Sequence, residues 1–206
     1  GFLAYPVSQA ADILFCKSNL IPVGDDQLPQ IEQTNEIVLK FNSLYGEVFQ
    51  KVKPVLSETI RLIGIDGNAK MGKSLNNGIY LSDSYEEISR KVMSMYTDPN
   101  HIHVEDPGKV EGNVVFTYLD IFDEKKEEVV ELKKQYEKGG LGDVVIKKRL
   151  IEVLENIIAP IREKREELAK DPKKVMKILE EGTKEARKIA KETMSEVRKA
   201  IKIDYF

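Results

Sequence analysis

The sequence is short of several residue types that mark particular classes of protein. It contains a single cysteine, Cys16, which excludes an internal disulfide framework and a cysteine-rich zinc site. It contains no apolar run of the roughly eighteen residues that a membrane-spanning helix needs. The first residues include neither a basic segment nor a cleavage site, so we expect no secretory signal peptide. Together these features predict a cytoplasmic protein without membrane association.

An excess of positive charge is also lacking. The chain has 32 Lys and Arg residues against 35 Asp and Glu residues, and the formal net charge is −3. A protein that binds nucleic acid over its whole surface carries a general basic field, which this chain does not. Any contact with nucleic acid must therefore be local.

The apolar residues divide the chain into two parts of different texture. Residues 1–82 alternate short apolar runs with turn signals, and they predict helices over 8–17 and 27–45 and strands over 20–23 and 59–65. This order is typical of a parallel α/β sheet. From residue 83 the pattern is helical, beginning with Ser82 or Asp83 as an N-cap and continuing over 114–122, 125–136, 143–170 and 172–201. We therefore predict an α/β domain over 1–82 and an all-α domain over 83–206, with helix dominating overall.

A lysine-containing loop follows the second predicted strand, with the sequence DGNAKMGKSLNNGI over 66–79. Residues 67–74 match the phosphate-binding pattern G-x-x-x-x-G-K-[ST], which requires a helix beginning at the lysine. The residues after Ser74 make a poor first helical turn, so this pattern is a weak one. Lys70 and Lys73 could instead reach a polyphosphate, such as a departing pyrophosphate, from a flexible loop. An exposed turn without function is equally compatible with the loop alone.

Several sequence blocks together carry a resemblance to a known family. Residues 70–74, KMGKS, resemble the KMSKS signature of class I aminoacyl-tRNA synthetases, with Gly72 in the central serine position. The blocks YPVSQAADI (5–13) and VGDDQ (23–27), followed by IEQT (31–34), look like the amino-acid pocket and ribose-binding turn of the tyrosyl and tryptophanyl branch. Residues 91–99, 104–108 and 139–143 are similar to bacterial-type tryptophanyl-tRNA synthetases. The resemblance covers essentially the whole chain.

This resemblance implies a fold and a reaction. Residues 1–82 would be the second half of a Rossmann-like class I catalytic fold with the lysine loop, and 83–206 a helical anticodon-binding domain. The implied reaction joins L-tryptophan to tRNA(Trp) through tryptophanyl-adenylate, with release of pyrophosphate. ATP with Mg²⁺ would be the substrate complex, without a tightly bound cofactor, and the full-length enzyme would be a homodimer.

The resemblance also implies roles for four residues of an amino-acid pocket. Asp12 would accept a hydrogen bond from the ring donor, Gln9 would border the ring, and Tyr5 with Gln27 would hold the substrate ammonium. Gln9 lies one helical turn beyond Tyr5, and Asp12 lies one turn beyond Gln9, so the three can share a helix face. Without the resemblance, Asp12 and Gln9 would be interpreted as surface residues, Tyr5 as core packing and Gln27 as an ordinary first-turn residue.

The remaining implied site binds ATP. Gly24 would bring the backbone close to the nucleotide, and Asp25 and Asp26 would accept from ribose hydroxyls, although helix capping would also explain the two aspartates. The lysine loop would supply the other ATP-binding residues, among them the catalytic lysines: Lys70, Met71, Gly72, Lys73 and Ser74. We predict no metal-ligand set. His101 and His103 are interpreted as loop histidines, and Cys16 as a buried small side chain.

Departures from the family pattern leave alternatives open. The second class I signature, the HIGH-type motif, has no counterpart here and there is no initiator methionine. We therefore expect this chain to be part of a longer protein and to be inactive alone. Gln9 is also the residue that tyrosyl enzymes use, which keeps tyrosine as an alternative substrate. Two other classes remain: a P-loop NTPase with Asp120 ending a strand, and a non-catalytic RNA-binding module whose Lys and Arg side chains over 162–202 contact phosphates.

Overall fold

The computed structural model describes residues 4–57, 62–68 and 71–205. The chain divides into two compact units, one formed by residues 1–58 with 173–206 and the other by residues 59–172. The described residues form two strands and seven α-helices: α1 Tyr5–Leu14, β1 Leu20–Val23, α2 Leu28–Tyr45, β2 Lys53–Leu56, α3 Tyr85–Met93, α4 Val114–Phe122, α5 Lys126–Lys138, α6 Asp143–Ala169 and α7 Pro172–Ala200. In this part of the chain, no helix is long and apolar enough to cross a bilayer.

The first unit is built around a parallel pair of strands. β1 pairs with β2 in a register that places Leu20 opposite Lys53. Parallel neighbours require a crossover connection, and α2 supplies it. Asn35 on α2 fixes the approach to β2, because its side chain donates to the Val52 carbonyl at 2.9 Å and accepts from the Val52 amide at 2.8 Å. The parallel α/β texture predicted for this region is confirmed.

The last helix, α7, belongs to the first unit. Its buried Thr193 donates from Oγ1 to the carbonyl oxygen of Phe15 at 2.7 Å, and Glu196 forms an ion pair with Lys17. Both contacts lie at the C-terminal end of α1. α7 therefore supports the helix that carries three of the predicted amino-acid-binding residues. The predicted domain boundary between residues 82 and 83 stays a prediction.

The second unit has a large helical core. α4 is buried through most of its length because it is apolar on several sides and helices α5 and α6 pack against it. Its first turn is capped by Asn113, whose side chain accepts from the Val115 amide at 3.0 Å. α3 and α6 make the other main contact of this unit. The predicted helix over 114–122 is confirmed to the residue.

Two local predictions are wrong. The N-cap of α3 is Ser84, whose hydroxyl accepts from the Glu87 amide at 3.2 Å, and not Ser82 or Asp83. The side chain of Asp83 does not cap α3, because its carboxylate accepts hydrogen bonds from the Tyr80 amide and from Lys91 instead. Cys16 is exposed, because it follows the end of α1 rather than lying on its packed face, and its thiol lies 2.9 Å from the Ser18 hydroxyl.

The strand predicted over 20–23 is confirmed as β1, whereas the sequence predicted no strand over the residues of β2, Lys53–Leu56. β2 has no alternation of apolar and polar residues, its four residues are all exposed, and it contains Pro54. Proline removes a hydrogen-bond donor and is tolerated at a sheet edge, so the sequence carried little strand signal there. Of the strand predicted over 59–65, residues 59–61 lie outside the described residues, and residues 62–65 are not in a strand.

Candidate active site

Three of the four predicted amino-acid-binding residues lie together in the first unit. The Tyr5 hydroxyl donates to Oε1 of Gln27 at 3.4 Å, and Nε2 of Gln9 donates to the same oxygen at 3.1 Å. Oε1 of Gln9 is buried and has no hydrogen-bond partner among the described residues. A buried acceptor without a donor costs free energy, so this cluster has capacity for a ligand that donates hydrogen bonds.

Asp12 lies on α1 but outside that cluster. Its side chain is exposed, and no hydrogen bond between described residues joins its carboxylate to Tyr5, Gln9 or Gln27. This position is also that of an ordinary surface aspartate. Its predicted role, to accept a hydrogen bond from the ring donor of the substrate, stays a prediction.

The predicted ribose-binding turn is a short 3-10 turn, Asp25–Gln27, preceded by Gly24. A Cβ added at Gly24 would lie 3.0 Å from Oδ1 of Asp26, so glycine leaves space for that carboxylate. The N-cap of α2 is Gln27, which makes no side-chain capping bond, and both aspartates are exposed. The turn thus presents two carboxylates to solvent, and both also lie in the first turn of the helical segment that continues into α2, where acidic residues are favourable.

The lysine loop in the second unit is anchored by a polar network at its base. Asp66 accepts from the backbone and side-chain nitrogens of Asn68 at 3.1 and 2.7 Å, and from Nδ2 of Asn77 at 3.1 and 3.2 Å. Oδ1 of Asn77 accepts from the Gly72 amide at 3.0 Å. The network therefore connects the start, the middle and the end of the loop.

The loop lysines differ in what the structure describes. Lys73 begins a short 3-10 turn, Lys73–Leu75, and is exposed together with Ser74, while Met71 and Gly72 are half-buried. Lys70 lies outside the described residues. The exposed position of Lys73 on an anchored loop suits a cation that meets a polyanion from solvent.

The exit of the loop rests on a buried ion pair. Lys91 on α3 lies 2.6 Å from Oδ2 of Asp83, donates to the Gly78 carbonyl at 2.9 Å and packs 4.3 Å from the ring centroid of Tyr80. Both charged side chains are nearly inaccessible, with exposed fractions of 5% and 6%. Breaking a buried pair leaves an uncompensated charge, so this contact strongly resists displacement of residues 78–80.

The network also sets the local electrostatics. Hydrogen bonds from the Asn68 side chain and amide and from Asn77 lower the pKa of Asp66, against a smaller opposing effect of burial. Burial and the nearby Asp66 charge raise the pKa of Tyr118 to about 12, and the Tyr118 hydroxyl donates to the Ile63 carbonyl at 2.8 Å. Asp66 is therefore ionised and Tyr118 neutral at physiological pH, and both protonation states suit the hydrogen bonds observed.

The sequence alone assigned no role in the loop to Asp66, Asn77, Asp83 or Lys91. Asn77 stands in the run Asn76-Asn77-Gly78, and nothing in the run indicates that one asparagine is 3% exposed while its neighbour faces solvent. The left-handed backbone of Asn76, with φ of 49°, turns the next side chain inward. The burial of Asn77 and the exposure of Asn76 are therefore visible only in the folded loop.

The local structure excludes the P-loop NTPase alternative. A phosphate-binding P-loop needs a helix that begins at its lysine, but Lys73 opens a single 3-10 turn that ends at Asn76, and the next helix begins at Tyr85. Asp120 lies in helix α4 rather than at the end of a strand. The expectation that the residues after Ser74 do not begin a helix is confirmed.

Comparison with known proteins assigns this combination of fold and loop to a family. The family described as tRNA synthetases class I (W and Y) matches residues 1–159, and the chain belongs to this family. The α/β and helical class I synthetase fold predicted from the sequence is thereby confirmed, as is the resemblance that predicted it.

Individual relatives of the chain are tryptophan–tRNA ligases. The chain is 54% identical over 212 residues to the tryptophan–tRNA ligase of Streptococcus pyogenes serotype M1 and 52% identical to that of Streptococcus pneumoniae serotype 4. It is fully covered in both matches and spans 62% of each relative's length.

Solved structures agree with these relatives. A tryptophanyl-tRNA synthetase from Campylobacter jejuni, complexed with ADP and tryptophan, matches with a TM-score of 0.78 and 35% identity. That match covers 96% of this chain and 61% of the solved one. The tryptophanyl-tRNA synthetase of Mycoplasma pneumoniae shares the fold at 23% identity, with a TM-score of 0.69 over 97% of this chain and 60% of that one.

Proposed function

We propose that the protein to which this chain belongs joins L-tryptophan to tRNA(Trp) at the expense of ATP. The observation that carries this proposal is the sequence KMGKS over 70–74, in a loop whose Gly72 amide is held by Asn77, in a chain about half identical throughout to tryptophan–tRNA ligases. In the first step the tryptophan carboxylate attacks the α-phosphorus of ATP, and pyrophosphate leaves. In the second step a ribose hydroxyl of the tRNA 3′ end attacks the carbonyl, and AMP leaves.

The loop lysines would act on the first step. As the bond between the α-phosphorus and the bridging oxygen breaks, negative charge accumulates on the departing pyrophosphate. Lys73, exposed in the loop, and Lys70 would stabilise that charge more in the transition state than in the ground state. Met71, Gly72 and Ser74 would line the same contact, and Mg²⁺ would enter with ATP as part of the substrate.

The cluster around Gln27 would bind the amino acid. The Tyr5 hydroxyl oxygen and Oε1 of Gln27 would both accept from the substrate ammonium group, which would replace one of the two donors, Tyr5 and Gln9, that Oε1 meets in the structure. Gln9, which already contacts Gln27, would border the ring, and the exposed Asp12 carboxylate would accept from the indole N–H. Gly24, Asp25 and Asp26 would bind the ribose of ATP.

Further partners are part of the same proposal. The helical region would contact the anticodon portion of tRNA(Trp) through local basic side chains, since the overall charge is slightly negative. The complete enzyme would act as a homodimer in the cytoplasm, where a single exposed thiol stays reduced.

The test is amino-acid-dependent exchange of pyrophosphate into ATP, measured on the complete protein and on the 206-residue chain alone. We expect exchange by the complete protein with tryptophan and not with tyrosine, and none by the 206-residue chain. Lys73→Ala should reduce the exchange rate roughly 100- to 1000-fold, the usual effect of removing one group that stabilises transition-state charge.

Lys138→Ala is the matched control, because Lys138 is an exposed lysine at the end of α5 in the same unit. It should leave the exchange rate unchanged. Exchange with tyrosine, or equal rates for Lys73→Ala and Lys138→Ala, would contradict the assignment.

A further inference from the structure

Asn77 is the residue through which the lysine loop closes on itself. Its amide nitrogen donates to both carboxylate oxygens of Asp66, at 3.1 and 3.2 Å, and its amide oxygen accepts from the Gly72 backbone N–H at 3.0 Å. Its own backbone carbonyl oxygen accepts from the Ile65 amide at 2.9 Å. One side chain, 3% exposed, thus joins the first residues of the loop to its centre.

The orientation of the Asn77 amide group is determined by its partners. A carboxylate accepts only, and a backbone N–H donates only, so Nδ2 must face Asp66 and Oδ1 must face Gly72. Replacing Asn77 by aspartate would set two carboxylates about 3 Å apart, where like charges repel. The position therefore requires a group that donates on one side and accepts on the other.

The surrounding backbone is shaped to admit this side chain. A Cβ added at Gly64 would lie 2.3 Å from Nδ2 of Asn77 and 2.5 Å from Oδ1 of Asp66, closer than atoms can approach. A Cβ added at Gly78 would lie 3.2 Å from the Met71 side chain. Glycine at 64 is thus required if the Asp66–Asn77 contact is to form.

The hydrogen bond from the Gly72 amide to Asn77 holds the residue next to Lys73, a proposed catalytic lysine. Gly72 precedes Lys73, so a hydrogen bond to the Gly72 amide places the backbone from which the Lys73 side chain extends. Glycine has no side chain to restrict its backbone, and without this bond position 72 would sample many more conformations. Displacement of a catalytic group by about 1 Å is enough to reduce a rate substantially.

We propose that Asn77 is a positioning residue of the lysine loop, which acts through the Gly72 backbone to hold Lys73 where the departing pyrophosphate forms. This proposal rests on the proposed function. Asn77 touches no substrate in it, and Asp66 holds Asn77 in place. The role differs from general stabilisation because it predicts a lower kcat with an unchanged KM for tryptophan.

The experiment uses the complete protein and four variants: Asn77→Ala, Asn77→Asp, Asp66→Asn and the exchanged pair Asp66→Asn with Asn77→Asp. Asn77→Ala and Asn77→Asp should lower kcat for tryptophan-dependent exchange about 10- to 100-fold, with the KM for tryptophan unchanged. The exchanged pair should recover most of that loss. In that pair the new amide at position 66 can donate to the new carboxylate at position 77, and this carboxylate can accept from the Gly72 amide. The hydrogen bonds that join position 77 to position 66 and to the Gly72 amide therefore each have a counterpart in the exchanged pair.

A second readout does not depend on activity. In the unmodified protein the Gly72 amide is hydrogen-bonded, so we expect its hydrogen exchange to be slowed relative to Asn77→Ala by at least about tenfold. Tryptic cleavage after Lys73 should be faster in Asn77→Ala for the same reason. Asn76→Gly is the control, since Asn76 is exposed and glycine tolerates its left-handed φ of 49°.

The outcomes separate the two proposals. If Asn77→Ala keeps the kcat and the Gly72 protection of the unmodified protein, the positioning role is wrong. It is also wrong if the exchanged pair restores Gly72 protection but not kcat. If the unmodified protein shows no tryptophan-dependent exchange, the proposed function fails, and the protection of Gly72 still decides whether Asn77 anchors the loop.

Discussion

In this chain, which spans 62% of its relatives' length, the two units have apolar cores of very different size. Among the described residues, the main core of the second unit contains seventeen buried apolar side chains, whereas the core cluster of the first unit contains three, Ile13, Ile31 and Val52. Since hydrophobic stabilisation scales with the apolar area removed from water, the second unit should be the more stable.

This difference matches the chemistry proposed for each unit. The lysine loop of the second unit must place a cation against charge that forms only briefly, which favours a rigid base. Its base has the Asp66–Asn77 network on one side and the buried Asp83–Lys91 pair on the other. The Tyr5–Gln9–Gln27 cluster of the first unit is more open and keeps an unused acceptor, which suits residues that adjust around an incoming ligand.

The largest effect on stability is expected when an isoleucine is replaced in the core of each unit. Ile88 is 0% exposed and Ile31 is 2% exposed, so their burial is matched. Ile88→Ala should reduce the free energy of unfolding by about 4 kcal/mol, because many neighbours hold the cavity open, and Ile31→Ala by about 2 kcal/mol. Urea denaturation measures both. Equal losses would mean that the thin core of the first unit is as rigid as the larger one.

A smaller effect distinguishes the ion pairs of the two units. Asp123 has a side chain 3% exposed and accepts two hydrogen bonds from Arg149, whereas Glu196, paired with Lys17, is 53% exposed. Asp123→Asn should therefore reduce the free energy of unfolding by about 2 kcal/mol at pH 7, and Glu196→Gln by less than about 0.5 kcal/mol. Urea denaturation of both variants measures the two losses, and equal losses would contradict the contrast between the pairs.

The Asp123 effect should also depend on pH. Burial raises the pKa of Asp123, but hydrogen bonds from Arg149 and the Lys125 amide outweigh burial and hold the pKa below its ordinary value. The contribution is thus fully present above pH of about 4 and is lost as the pH falls through the lower folded-state pKa. Denaturation of Asp123→Asn and the unmodified protein from pH 7 to pH 2 should show the difference between them shrink. A difference that is constant over this range would contradict the assignment.

The smallest predicted effect is local to the start of α3. Ser84→Ala removes the side-chain acceptor for the Glu87 amide and should reduce the free energy of unfolding by about 1 kcal/mol. Ser82→Ala, at the position that the sequence pattern favoured, should change it by less than about 0.5 kcal/mol. Thermal or urea denaturation of the two variants decides between them, and the reverse result would return the N-cap to Ser82.

Much of the architecture could be predicted from the chain because it depends on local periodicity. The limits of α4 and the start of α6 at Asp143 follow from apolar spacing and turn residues. Strand β2 could not be predicted, because Pro54 and four exposed residues leave no period-two pattern. Its strand conformation depends on the parallel partner β1, which is about thirty residues away.

The residues of the candidate site also differ in how much of their role could be predicted from the sequence. The residue types of the loop suggested by themselves that Lys73 could meet a polyphosphate. The site roles of Asp12 and of Gly24, Asp25 and Asp26 were implied only by the family resemblance and stay predictions. The meeting of Tyr5, Gln9 and Gln27 at one oxygen was implied for two of them only by family resemblance, and the structure shows the contact.

The sequence by itself determined which residues can form helices, which loop carries the lysines and to which family the chain belongs, since these depend on neighbouring residues in the chain. Tertiary structure alone decided that Asn77 and not Asn76 is buried, that Lys91 and Asp83 form an ion pair beneath the loop, and that α7 packs on the end of α1. Burial and hydrogen-bond partnership arise from residues distant in sequence, so a linear pattern does not contain them.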